Sequence, residues 1–286
     1  MRVLITGGAG QLATELKLTA PDTMQLFILD KSQLDITDIE NVKDIFSTIR
    51  PELVINCAAY NKVDLAEDNP ELAFKINSQG ASNIALVATE YRSRLIHIST
   101  DYVFDGKHSI PYKPEDEPNP ISVYGKSKLE GEINIKKITD GKSIIIRTSW
   151  LYSSHGNNFF KTIMNSLAKK ERLRVVDDQI GTPTNAHGLA RFIWKIIKTD
   201  AKGIYHWTDS GIASWYDFAV AIQEEALQSG KIHHEIDIEP CNTHDYPFKA
   251  ERPSYSVLDT TDAVLLCKNS PRHWRKNLRD VIGSIS

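Results

Sequence analysis

Tyr124 and Lys128, four residues apart in the run Tyr124-Gly125-Lys126-Ser127-Lys128, form a pair able to move protons. On a helix that spacing is one turn plus about 40°, which puts the two Cβ atoms roughly 6 Å apart on one face. An ammonium so placed lowers the cost of a phenolate, because opposite charge favours the ionised form. A phenol titrating near ~10 exchanges protons poorly at neutral pH without such help. The spacing alone decides little, since with ten tyrosines in the chain about one such pair is expected by chance. An exposed helix pair is the plain alternative, and the surrounding sequence has to choose.

The elements that would position the pair are legible as a rhythm. Nearly continuous apolar runs at Arg2–Thr6, Leu26–Asp30, Leu53–Cys57, Leu95–Ser99 and Ile144–Thr148 read as strands buried on both faces. Helical patterns fall between them, at Gln11–Thr19, Ile39–Ile49, Pro70–Tyr91 and Ser122–Ile138. The expected fold is therefore α/β, a Rossmann-type doubly wound parallel sheet with right-handed crossovers. It is followed by a smaller C-terminal α/β region. Residues 1–150 would form the dinucleotide-binding domain, completed by a helix and strand near 185–210, and residues 151–286 the second region.

Ligands of such sheets bind beyond the carboxyl ends of the strands, so polar residues just after each strand become candidates. After the first strand stands Thr6-Gly7-Gly8-Ala9-Gly10-Gln11-Leu12-Ala13. Gly7 and Gly10 allow backbone to approach a pyrophosphate, and the amides of Gln11 and Leu12 open a helix aimed at the anion. Asp30 closes the second strand, where a carboxylate accepts from both ribose hydroxyls and repels a 2′-phosphate, which favours NADH. Lys31 and Ser32 follow at once and leave NADPH open. Asp35 and Ile36 are placed to meet the adenine, ahead of Asp38 as a helix N-cap. Small Ala58 and Ala59 let a cofactor cross the end of strand three, and Asn77, a poor helix former in mid-helix, implies a bonding task. Thr100 ends strand four within reach of a substrate oxygen, whereas His97 reads as a satisfied core residue. Residues 105–121, with Pro111, Pro114, Pro118 and Pro120, form a long surface loop that delivers the chain to Tyr124.

Composition narrows the classes. Net charge −3 gives no footprint for nucleic acid or anionic membrane, and no apolar run approaches a membrane span. Cys57, Cys241 and Cys267 are scattered and unpaired in pattern, as expected of reduced thiols in a cytoplasmic protein. His233-His234 point apart as neighbours and read as a surface turn, so no metal ligand set is assigned.

Gly7–Ala13, Asp30, Asn77, Thr100 and the Tyr124/Lys128 pair together resemble the extended short-chain dehydrogenase/reductase superfamily. More narrowly, Ser99 through Gly106, Asn119-Pro120, Arg147-Thr148-Ser149-Trp150, Gly156-Asn157-Asn158-Phe159, Asp178 through Thr184, Arg252-Pro253 and Ser256 through Asp259 are similar to the dTDP-4-dehydrorhamnose reductases. The resemblance spans nearly the whole chain. It implies NADH- or NADPH-dependent reduction of a C4 ketone on a dTDP-sugar, with Tyr124 as proton donor, Lys128 as its electrostatic support and Thr100 orienting the carbonyl. It further implies that Tyr124 and Lys128 approach the cofactor and that Thr100, Asp101, Tyr102, Trp150, Asn158 and Arg252 contact the sugar nucleotide. A guanidinium suits a diphosphate.

Two positions depart from the resemblance. Some relatives dimerise through a magnesium ion held by glutamates; Glu15 matches one such position, but His187 stands where another glutamate would, which puts the metal bridge in doubt and leaves monomer or homodimer open. Asp262 stands where a lysine is usual. Two rival readings remain. Dehydratases of the superfamily place a glutamate where Tyr102 stands, and Tyr102 has no acidic function at neutral pH, which argues for reduction without elimination. The other rival is a non-catalytic subunit resembling the β subunit of methionine adenosyltransferase, disfavoured by the presence of Thr100, Tyr124 and Lys128.

Overall fold

The computed structural model describes residues 1–285. Chain order runs β1 (Arg2–Thr6), α1 (Gln11–Leu18), β2 (Gln25–Leu29), α2 (Ile39–Ile49), β3 (Leu53–Asn56), α3 (Val63–Asp68) and α4 (Pro70–Phe74). A π-helical segment at Lys75–Gly80 leads into α5 (Ala81–Glu90) and β4 (Arg94–Thr100). A 3₁₀ turn (Asp101–Val103) then precedes α6 (Val123–Ile138) and β5 (Ile144–Thr148). The second half holds β6 (Leu151–Tyr152), α7 (Phe159–Lys169), β7 (Leu173–Val176), β8 (Ile180–Gly181), β9 (Thr184–Asn185) and α8 (Ala186–Ile196). It ends with β10 (Gly203–His206), β11 (Ala213–Ser214), α9 (Trp215–Gln228), β12 (Ile238–Cys241), α10 (Thr261–Cys267) and α11 (Trp274–Ser284).

Six strands form one parallel sheet in the order β10-β5-β4-β3-β1-β2. The period-two alternation of side chains splits its apolar residues between two cores. Val3, Ile5, Leu53 and Ile55 face a core with α1 and α8, while Leu4, Val54 and Leu95 face one with α2 and α5. A third core, built on Phe160, Phe218, Ile222 and Leu278, belongs to the C-terminal helices α7, α9 and α11. Among the described residues the strands there form two-stranded pairs, β11 with β8, β12 with β7 and β6 with β9. The late strand β10 joins the main sheet beside β5, and α8 packs among the sheet residues of the first core.

The helix expected over 70–91 is broken. α4 ends at Phe74, the π segment carries Lys75–Gly80 and only then does α5 begin. A π turn inserts an extra residue and re-aims side chains, often at functional positions, and here it turns Asn77 inward. The strands otherwise stand within a residue of expectation, and α3 is the helix that apolar periodicity missed, because only Ala66 within it is buried.

Candidate active site

The turn after β1 requires glycine for a steric reason. Gly7 has φ +68, and a Cβ there would lie 2.8 Å from Ala58 N and 2.9 Å from Cys57 O at the end of β3. The turn is thus pressed onto the strand ends. No side chain caps α1, whose N-cap is Gly10, so the first amides of the helix remain available to an anion. Gln11, at its first position, turns sideways: its Nε2 donates to Leu151 O at 3.0 Å, and its Oε1 accepts from Asn158 Nδ2 at 2.9 Å. The residues present therefore fit a dinucleotide at the Gly7–Leu12 turn.

Asp30 stands just past β2, and its Oδ1 accepts from the Ser32 amide at 2.8 Å and the Ser32 hydroxyl at 2.6 Å. Those bonds hold its carboxyl below the usual range, so it is ionised at neutral pH. Asp35 is similarly engaged, with its Oδ1 accepting from Thr37 N and Oγ1. Ile36 is buried in the α2/α5 core and its carbonyl accepts from Asn83, so its side chain offers no open surface. Asp38 caps α2 as expected, accepting from Glu40 N and Asn41 N. Ala59 is exposed and Ala58 half-buried at the end of β3.

Asn77 does have a bonding task, but an internal one. Its Oδ1 accepts from Tyr60 N at 2.8 Å while its Nδ2 donates to Tyr60 O at 3.0 Å and to Ser127 Oγ at 2.9 Å. Ser127 in turn donates to Tyr124 O at 2.8 Å. The amide is fully used in fixing the first turn of α6 to the end of β3, which makes Asn77 a positioning residue for Tyr124.

Two further bonds, one close approach and a buried ion pair set α6 in place. Ser122 Oγ caps it by accepting from Gly125 N at 3.2 Å, and Glu67 Oε1 accepts from Val123 N at 2.8 Å. A Cβ on Gly125 would lie 2.2 Å from Tyr102 O, so only glycine lets the helix start against the 3₁₀ turn. Deeper in the helix, Glu132 receives Arg147 in a fork with Nη2–Oε2 at 2.7 Å and both side chains buried. Replacing one partner of such a pair leaves an uncompensated buried charge.

Tyr124 thereby reaches the end of β4, with Tyr102 packed edge-on against it at 5.5 Å between ring centroids. Burial raises the Tyr124 phenol above its ordinary range, a hydrogen bond with Thr100 pulls it partly back, and Asp101 and Tyr102 push it up. Lys128, one turn further along α6, donates from Nζ to Ile98 O at 2.7 Å and lies 3.2 Å from His97 Nε2. A phenol kept protonated is still the right state for a proton donor.

Thr100 Oγ1 lies 3.1 Å from Asp101 Oδ1 and accepts from Tyr102 N at 3.2 Å. Burial raises the Asp101 carboxyl to about 6 and the Tyr102 phenol to about 12. Ser99 Oγ, Asp101 Oδ2 and Thr148 Oγ1 are buried with no partner at the neighbouring ends of β4 and β5. Orphaned polar atoms in that position mark where a polar ligand would be received.

The other expected substrate contacts have structural partners. Trp150 takes φ +46 and stacks on Trp215 with centroids 3.6 Å apart, leaving it half-buried. Asn158 caps α7 by accepting from Lys161 N at 3.0 Å, and donates to Ser153 O and His155 O as well as to Gln11. Arg252 pairs with Asp64 on α3 at 2.7 Å and stacks over Phe248 at 3.9 Å, with its Nε buried and unpartnered. Asp64 was invisible to the sequence reading. Its partner lies 188 residues away, and its other oxygen accepts from Lys249 N and Ala250 N.

Glu15 is buried on α1 with its Oε2 3.1 Å from His187 Nδ1, so the departing histidine meets the glutamate directly. Both line a groove of about 760 Å³ with His155, Arg191 and Asp209, apart from Thr100, Tyr124 and Lys128. Among the described residues no group of three or more His, Cys, Asp or Glu has the arrangement of a metal site. His233 is exposed and His234 Nε2 bonds Leu167 O at 3.0 Å. Asp262 sits exposed in the first turn of α10, where the helix dipole favours a carboxylate. The cysteines are free thiols, and no described helix is long and apolar enough to cross a membrane.

The family model described as RmlD substrate binding domain matches residues 1–286. A dTDP-4-dehydrorhamnose reductase of Aggregatibacter actinomycetemcomitans is 39% identical over 98% of each chain. The chain belongs to the dTDP-4-dehydrorhamnose reductase family. The spore coat polysaccharide biosynthesis protein SpsK of Bacillus subtilis (strain 168) is 41% identical, over 98% of this chain and 96% of its own. Among solved structures, the dTDP-4-dehydrorhamnose reductase of Bacillus anthracis in complex with NADP superposes with a TM-score of 0.92 at 37% identity over 98% of each chain. Membership of the reductase family accords with the doubly wound sheet, the uncapped α1 turn and the Thr100/Tyr124/Lys128 set.

Proposed function

We propose that this chain reduces the C4 ketone of dTDP-4-dehydro-L-rhamnose to dTDP-L-rhamnose, using NADH or NADPH. The observation that carries the reading is the Tyr124 phenol, kept protonated by burial beside the end of β4 and Thr100, in a chain of the reductase family. Tyr124 gives its proton to the C4 oxygen, and Thr100 orients that oxygen by its hydroxyl. The nicotinamide, when bound, supplies a hydride to C4. Tyr102, with its phenol at about 12, has no carboxyl to offer for elimination, which favours simple reduction over dehydration.

Residues 1–150, with α8 and β10, form the cofactor-binding part in this reading, and residues 151–286 the sugar-nucleotide part. Gly7, Gly10, Gln11 and Leu12 present backbone to the pyrophosphate, Asp30 reads the ribose, and Ala58 and Ala59 leave room across β3. Arg252 is the cation placed for the substrate diphosphate, exchanging part of its bond to Asp64 for the ligand. Loss of NADPH or NADH absorbance on adding dTDP-4-dehydro-L-rhamnose, measured beside other 4-keto-6-deoxy sugar nucleotides, tests the assignment. Turnover of a different sugar nucleotide in preference would move the substrate, and no oxidation with any of them would remove the reading.

A further inference from the structure

His97 lies fully buried in β4, next to the site but with no part in the proton transfer above. Its Nδ1 is 3.1 Å from Asn56 Nδ2 and its Nε2 is 3.2 Å from Lys128 Nζ. Asn56 Oδ1 accepts the Thr6 hydroxyl at 2.6 Å, and the same hydroxyl oxygen accepts from Ala58 N at 3.2 Å. The direction of this chain follows from counting protons. With the Thr6 proton given to the Asn56 oxygen, the amide nitrogen of Asn56 donates to Nδ1, which must then carry the lone pair. Burial holds His97 well below its ordinary value, so the ring is neutral and its one proton sits on Nε2. That proton faces Nζ. A donor facing the lysine is matched by an amine, while Nζ keeps an N–H for Ile98 O at 2.7 Å.

We propose that His97, fixed in its Nε2–H tautomer by Thr6 and Asn56, is a positioning residue that draws Lys128 onto β4 and weakens its hold on a proton. The proposal deepens the reading of Lys128 as a member of the catalytic set and rests on it. An ammonium would need the reverse run, with Asn56 turned over to offer its oxygen to an Nδ1 proton. The Thr6 proton would then be left buried without this acceptor, which is unfavourable. The other groups around Nζ are few. Glu132, on its own helix, favours the ammonium but is already forked by Arg147. Tyr124 stands one turn earlier, and Cys57 at the end of β3 is raised to about 12 by burial and so remains a neutral thiol. Burial lowers Lys128 to about 8, in the same direction as the relay. The lysine can then lose and regain a proton near neutral pH.

The tautomer is read by ¹⁵N NMR of the full-length, cofactor-free protein labelled at histidine, with the His97 signals assigned by their loss in His97→Gln. Protonated Nε2 and bare Nδ1 at pH 7 are expected, and a protonated Nδ1 overturns the proposal. Thr6→Val removes the anchoring hydroxyl without adding charge or bulk and frees Asn56 to turn over. The lysine pKa in the pH profile of kcat/KM should then rise by about one unit, a tenfold change in proton affinity. An unmoved profile overturns the proposal, since a purely structural role would lower activity without shifting it. Where Thr6→Val does not fold, Asn56→Asp serves: its two oxygens accept from both neighbours and must switch His97 to the Nδ1–H tautomer. The tautomer readout needs no substrate, so failure to reduce any 4-keto sugar would defeat the proposed function without deciding this point.

Discussion

Asn158 Nδ2 donates to Gln11 Oε1 across 2.9 Å, joining the N-terminus of α7 to that of α1 over a sequence separation of 147 residues. One amide therefore both caps a helix of the C-terminal part and holds the first residue of the helix that faces the cofactor turn. Asn158→Ala should lower stability by ~1–2 kcal/mol, the usual worth of an N-cap with its added part-buried bonds to Gln11, Ser153 and His155. Urea unfolding measures it. A contact made to the sugar nucleotide alone would instead raise KM for the sugar and leave the unfolding midpoint where it was.

Tyr124→Phe keeps the ring against Tyr102 and removes the proton. We expect kcat to fall by ~10²–10⁴-fold, the range for a lost general acid, with dinucleotide affinity unchanged by fluorescence titration. Wild-type turnover in that variant would transfer the proton donation to another group.

Asp30 is ionised and braced by Ser32 at the end of β2. Asp30→Ala should move the NADH/NADPH ratio of kcat/KM towards NADPH by removing a negative charge from beside the 2′ position. The same ratio in both proteins would show that the carboxylate does not read the ribose.

Asp209 is buried between Asn185 and Asn277, and burial raises its carboxyl to about 7. The folded value lies above the unfolded ~4, so the folded state binds the extra proton between those values. The stability this gives is complete below about pH 4 and is lost as pH rises through 7. Asp209→Asn keeps an oxygen for Asn185 N and removes the titration. The fall in unfolding free energy from pH 4 to 8 should shrink by up to roughly 4 kcal/mol, at 1.4 kcal/mol per unit. Some fall should persist, because Asp101, raised to about 6, acts in the same direction.

Much of the fold was legible because parallel strands buried on both faces leave unbroken apolar runs, and the five early strands did so. Position after a strand then singled out Thr100, Asp30 and the Gly7 turn, while the helix and strand expected near 185–210 extended the reading into the second half. The broken helix at Lys75–Gly80 was not legible, since a π turn leaves no apolar signature of its own. Nor was α3, which turns almost no surface inward.

The sequence by itself determined the residue types at the strand ends and the helix that carries Tyr124 and Lys128, since both depend on local pattern and spacing. Only the tertiary structure decided where those side chains go. Lys128 meets a histidine 31 residues away, Arg252 is held by Asp64 across 188, and Asn77 and Asn158 are engaged by partners on other elements. A buried polar group must find a partner wherever the fold supplies one, and sequence spacing does not record which distant element that will be.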